Sequence, residues 1–123
     1  MNSYLKQATR VSLSTASGIL LFLSFPSFNY FLLEWVALVP LLFAIEGLSL
    51  RHTYLLGLIT GMVAVAGGFY WMVNWAETAI GLLFPFNLMF GLGHAFAAGQ
   101  VFGIAVFLFQ CLRRQNKSYD ILL

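Results

Sequence analysis

The sequence predicts an all-α polytopic membrane protein: a four-helix transmembrane bundle with cytoplasmic N- and C-termini, residues 1–123 forming a single transmembrane domain. Three observations predict it. Of the 123 residues, 61% are hydrophobic and only 8% charged, where soluble domains run at about half apolar and about a quarter charged. The apolar residues fall into four segments near membrane length. All the basic residues then lie on one side of a four-span path.

The first span covers about 9–25 and is rich in serine and threonine. Lys6 and Arg10 precede it as in a secretion signal, but Leu23-Ser24-Phe25-Pro26 offers no small-x-small cleavage site. It therefore reads as an uncleaved span. Pro26 ends it, because proline has no N–H to donate and biases Phe25 away from helical dihedrals. Asn29 favours a turn. Phe25, Phe28, Tyr30 and Trp35 ring that turn with aromatics of the kind that settle at a lipid–water boundary.

The second span, about 31–47, carries Pro40 and is flanked by Glu34 and Glu46. The third runs over about 54–75 and the fourth over about 87–112, preceded by an 81–86 segment with Pro85 that dips toward the interface. A span needs on the order of 20 residues to cross about 30 Å of hydrocarbon. The last two satisfy that; the first two are short and rely on aromatic and polar flanks to absorb the mismatch.

Charge sets the orientation. Lys6 and Arg10 precede the first span, Arg51 follows the second, and Arg113, Arg114 and Lys117 follow the fourth, in the tail 113–123. The opposite loops, Pro26–Tyr30 and Ala76–Phe86, hold no Lys or Arg and one acid, Glu77. All 6 basic residues thus share one side, as the positive-inside rule requires. The net charge of +2 is too small to suggest a nucleic-acid partner. Membrane phospholipids are the partner that the composition implies. A lone cysteine, Cys111, excludes an internal disulfide and reads as a juxtamembrane core thiol.

Small residues form stripes on the two long spans: Gly57, Gly61, Ala64 and Gly68 on the third, and Gly91, Ala95, Gly99 and Gly103 on the fourth. Such stripes let helix backbones approach closely, so the reading is helix packing; the alternative is a groove that admits a lipid chain. Tyr70, Trp71, Asn74, Trp75 and Glu77 close the third span, and His94 lies about two turns into the fourth. These six are candidates for contact with lipid or a partner, because polar groups inside a span are costly. An interfacial aromatic belt with a hydrogen-bonded histidine is the structural alternative.

No catalytic motif is expected: there is no Gly-x-Ser-x-Gly elbow, no His-Glu-x-x-His and no paired cysteines. His52 and His94 fall on opposite sides of the predicted membrane and cannot share a metal; no metal or cofactor is expected. Glu34 and Glu46 lie at opposite leaflets and make no acid/base pair, and Glu46 is expected to reach toward Arg51.

The hairpin Leu23-Ser-Phe-Pro-Ser-Phe-Asn, the run Trp35-Val-Ala-Leu-Val-Pro-Leu-Leu, the Gly57–Gly61 helix ending Gly67-Gly68-Phe-Tyr-Trp71, and Pro85 before the next span occur in an order that resembles one family. Over about 18–112 the chain is similar to the N-terminal membrane region of bacterial apolipoprotein N-acyltransferase. The resemblance implies an inner-membrane enzyme that moves an acyl chain from a phospholipid to the N-terminal cysteine amine of a diacylated lipoprotein. In that family a periplasmic nitrilase-like domain with a Glu, Lys and Cys set does the chemistry, through a thioester.

No such domain is expected within these residues, and Cys111 falls at the cytoplasmic end, so no catalytic residue carries over. The expectation is a multi-pass inner-membrane scaffold, a truncated, split or fragmentary chain that is inactive alone and partnered by a separate nitrilase-like domain or other membrane subunits. The alternative is a non-catalytic subunit that packs its glycine-rich helices against a larger membrane complex. A small transporter is weaker, since its coupling would need an ionisable group near the midplane.

Overall fold

Pro26 sets the first boundary of the computed structural model, which describes residues 2–26 and 28–120. Helix α1 (Ser3–Ser24) stops where Phe25 turns extended, with φ −65° and ψ 153°, as the residue before a proline must. The chain then reverses. Asn29 takes φ +61°, a left-handed geometry that asparagine tolerates better than most residues.

The return segment is broken rather than continuous. A 3₁₀ turn (Phe31–Leu33) leads into α2 (Glu34–Ala37) and then α3 (Val39–Ala44), with Pro40 in the first turn of α3. Proline there lacks an amide hydrogen and crowds the carbonyl four residues earlier. The next amide, Leu41 N–H, donates instead to Ser17 Oγ of α1 at 2.8 Å.

Helix α4 (Leu50–Gly68) follows a turn through Gly47, and α5 (Trp71–Ile80) follows α4 after Phe69 leaves helical geometry at φ −116°, ψ 28°. The segment expected as one span over 54–75 is thus two helices. Consecutive glycines at 67 and 68 weaken the helix there, each by about 1 kcal/mol relative to alanine. Gly81, left-handed at φ +70°, caps α5. Helix α6 (Phe86–Asp120) starts after the cis Phe84–Pro85 bond and continues past 112 into the tail. Side chains of 117–120, Lys117 among them, and residues 121–123 lie outside the described part of that tail.

The path runs up, down, up, down. Helices α1 and α4 run parallel, with Ser14 against Leu56 and Thr60 and Phe22 against Gly67. Helix α3 returns antiparallel to α1, and α6 antiparallel to α4. On the α4–α6 seam a Cβ built on Gly61 would stand 2.8 Å from the Gly99 Cα, and one on Gly57 3.0 Å from the Gly103 Cα. Gly91 abuts Val73 of α5, Gly68 lies under the Phe25 ring, and Ala64 and Ala95 are buried. No larger side chain fits at the glycine pairs.

A polar seam joins α1 to α4. Ser14 Oγ donates to Leu56 O at 2.6 Å and lies 3.0 Å from Thr60 Oγ1, which donates to Ser14 O at 2.9 Å. Every partner here is buried, so each polar group is satisfied where water cannot reach.

What is buried and what is exposed bears on the environment. Serine, threonine, glycine and alanine fill most of the helix contacts, with Leu21, Leu41, Ile45, Leu56 and Val65 as the larger apolar residues among them. Large apolar side chains point outward: Trp35 is 85% exposed, Phe84 77% and Phe43 68%. Soluble monomers do not display apolar surface on that scale, whereas small residues between helices and large ones outside suit a bilayer. Helices Leu50–Gly68 and Phe86–Asn116 are each long and apolar enough to cross a membrane, and only 39% and 22% of their apolar windows are buried. A soluble core helix would be buried over most of its length.

Candidate functional site at the aromatic end

The two ends of the bundle differ in chemistry. At one end α6 brings its basic residues over the 45–48 turn. Arg113 Nη2 pairs with Glu46 Oε1 at 3.3 Å, Arg114 Nη2 donates to Leu48 O at 2.7 Å, and the buried Gln110 reaches Ile45 O and Leu48 O. This corrects the expected reach of Glu46 toward Arg51: the antiparallel α6 delivers Arg113 to the turn, while Arg51 faces a groove with Leu50 and Tyr54. Arg10 and His52 belong to the same end, lining one cavity with Leu48.

At the other end aromatic rings from four elements converge. Phe69, at the α4–α5 break, packs edge-on against Phe25 at 5.5 Å and against the His94 imidazole at 6.2 Å, and tilts against Trp71 at 5.9 Å. Phe28 of the hairpin turn bridges Phe22 at 5.6 Å and Tyr70 at 6.4 Å. Edge and tilted arrangements place the positive ring edge on the negative face of a neighbour, worth about 0.5–1.5 kcal/mol per pair beyond area burial.

The structure therefore gathers Trp71 and His94 around the Phe69 hub and Tyr70 against Phe28 beside it, three of the six contact candidates. Trp75 and Glu77 face the start of α6 instead: Trp75 packs on Phe90 at 6.3 Å, and Glu77 Oε2 accepts from Asn87 Nδ2 at 3.5 Å. Asn74 lies on the same helix, its carbonyl accepting from the Thr78 hydroxyl at 2.9 Å. Tyr70, Trp71 and Trp75 keep about half their surface exposed, so the cluster is an open face. Deeper along α6, Gln100 accepts from the Tyr54 hydroxyl. His52 is at the far end, its Nδ1 2.7 Å from Ser49 Oγ.

Phe69 and Asn87 are the residues that reading the sequence missed. Phe69 sits inside an unbroken apolar run, where nothing local marks it as a hub. Asn87 had a signal: a polar residue two positions after Pro85, at the start of a span.

The arrangement offers aromatic faces, an imidazole and one carboxylate–amide pair. A family model described as the apolipoprotein N-acyltransferase N-terminal domain matches residues 17–123. The chain belongs to that family. It is also similar to an apolipoprotein N-acyltransferase of Geobacter metallireducens, 43% identical over 60 residues, which is 49% of this chain and 12% of the relative. No solved structure matches. The family match runs on through the 113–123 tail, so the long α6 lies wholly inside the apolipoprotein N-acyltransferase N-terminal region.

Proposed function

We propose that these residues form the membrane scaffold of an apolipoprotein N-acyltransferase-like protein in the bacterial inner membrane. It crosses the bilayer four times, by α1, the 31–44 segment, α4 with α5, and α6, with the basic end and both termini cytoplasmic. The whole protein moves an acyl chain from a phospholipid to the N-terminal cysteine amine of a diacylated lipoprotein. The reacting groups lie in a nitrilase-like domain outside these residues, and the chain alone is inactive.

The observation that carries this reading is the open aromatic face around Phe69, at the end opposite Arg113 and Arg114. It combines exposed rings with His94 and the Glu77–Asn87 pair, the mixture that an interfacial lipid and a docked domain would both meet. The share of the relative left unmatched is large enough to hold a catalytic domain. The alternative, a subunit that packs its glycine stripes against another complex, has less support, because Gly57, Gly61, Gly99 and Gly103 already face one another.

The test is direct. The purified 123-residue chain, supplied with phospholipid and a diacylated lipoprotein peptide, is expected to transfer no acyl chain. Transfer by the chain alone would overturn the scaffold reading.

A further inference from the structure

We propose a second site, at the basic end of the bundle, that binds one anionic phospholipid with Arg10 holding its phosphate. Between α1 and α4 at this end lies a cavity of about 390 Å³, lined among others by Gln7, Arg10, Val11, His52, Leu55 and Ile59. Its size falls within the about 300–1,000 Å³ usual for small-ligand sites. The walls divide by chemistry. Val11, Leu55 and Ile59 are apolar, whereas Gln7, Arg10 and His52 supply hydrogen-bond donors.

Arg10 Nη1 is shut off from solvent, yet among the described residues nothing accepts its hydrogens. A guanidinium stays charged and carries five donors in a planar fork, so leaving such a nitrogen buried and unmet is costly. Among the described residues no carboxylate lines the cavity, and Glu46, an acid at this end, is engaged by Arg113 at 3.3 Å. His52 Nδ1 is taken by Ser49 Oγ, which leaves Nε2 for a ligand. The Thr53 hydroxyl, beside His52 in the sequence, is also buried without a partner among the described residues.

A phosphodiester with acyl chains satisfies both halves of the cavity. Its oxygens match the fork of Arg10, a pairing that arginine makes bidentately, and a chain lies against Val11, Leu55 and Ile59. The charge of the headgroup follows from the surroundings. Lys6 stands one turn before Arg10 on α1, and Arg51 lies at the same end in the neighbouring groove, so a net negative lipid is preferred over a zwitterionic one. The site rests on the membrane placement of the chain and not on its role in acyl transfer.

Native mass spectrometry of the purified chain in detergent tests it, by titration with phosphatidylglycerol and separately with phosphatidylcholine. The expected result is one phosphatidylglycerol bound at least about tenfold more tightly than phosphatidylcholine (about 1.4 kcal/mol). Arg10→Gln should abolish the preference and Arg10→Lys retain part of it. Ile59→Trp fills the cavity without touching the charge and should also weaken phosphatidylglycerol binding, which decides the matter if Arg10→Gln misfolds. Equal binding of the two lipids, or phosphatidylglycerol binding unchanged by the variants that fold, overturns the site. Glycerol 3-phosphate bound as tightly as the lipid overturns its assignment to a lipid. A chain that stays soluble without detergent would sink the membrane placement itself, a result distinguishable from lost preference in a detergent-dependent chain.

Discussion

Ser17 Oγ accepts the Leu41 amide at 2.8 Å, a side chain of α1 capping the first turn of α3 from 24 residues away. Both residues are buried, and Pro40 beside Leu41 has no amide of its own to contribute. The broken return segment depends on this bond. Ser17→Ala should leave a buried N–H without an acceptor and destabilise the bundle by about 1–3 kcal/mol. Ser12→Ala, on the exposed face of α1, should cost nearly nothing. Denaturation followed by circular dichroism in detergent separates the two; equal effects would mean that the bond contributes little.

The glycine seam gives a sharper contrast. A Cβ on Gly61 would meet Gly99 Cα at 2.8 Å and Phe102 Cδ2 at 2.7 Å, whereas one on Gly93 meets nothing within 4 Å. Gly61→Ala should therefore push α4 and α6 apart and cost about 1–3 kcal/mol, as overpacking does. Gly93→Ala should be neutral or stabilising by up to about 1 kcal/mol through helix propensity. The same unfolding measurement reads both signs. A neutral Gly61→Ala would show that the helices do not approach this closely.

These two contacts also show where the sequence was legible and where it was not. Pro26 and Asn29 act on their own backbone, so the hairpin turn could be read from neighbouring residues. The all-helical character and the facing glycine stripes follow from hydropathy and from spacing along each helix. The Ser17–Leu41 bond, the Phe69 hub and the Arg10 cavity each join residues from different elements, and no local pattern encodes such a meeting. Glu46 illustrates the limit: sequence nearness suggested Arg51, but the fold supplied Arg113 from 67 positions away. The break at Phe69 was hidden because apolar residues continue on both sides of Gly67 and Gly68 as far as Val73.

His94 tests the aromatic end. Its imidazole packs edge-on against Phe69 at 6.2 Å and its surface is exposed. His94→Phe preserves a ring there and should keep thermal stability, while His94→Ala should lose about 0.5–1.5 kcal/mol of ring packing. If the face contacts lipid or a partner through the imidazole, both variants weaken that binding several-fold in reconstituted nanodiscs. Binding that tracks stability alone, lost in the alanine variant and intact in the phenylalanine one, would reduce His94 to a packing residue.

The Glu46–Arg113 pair should matter little to stability. Both side chains are substantially exposed, at 63% and 38%, and ion pairs in that setting contribute about 0–1 kcal/mol. Glu46→Gln is expected to shift unfolding by less than about 0.5 kcal/mol at moderate salt. A larger loss would mean that the pair is shielded from water.

Topology is open to labelling. On a Cys111→Ser background, Tyr30→Cys sits in the hairpin turn at the aromatic end and Gln115→Cys near the basic end, both exposed. In right-side-out cells a membrane-impermeant maleimide should modify the first and spare the second until the membrane is opened. The reason is electrostatic: Arg10, Arg51, Arg113 and Arg114 gather at one end, and short basic segments stay on the cytoplasmic side during insertion. Labelling of both cysteines from the same side would rule out an even number of crossings between α1 and the end of α6 with the hairpin outside.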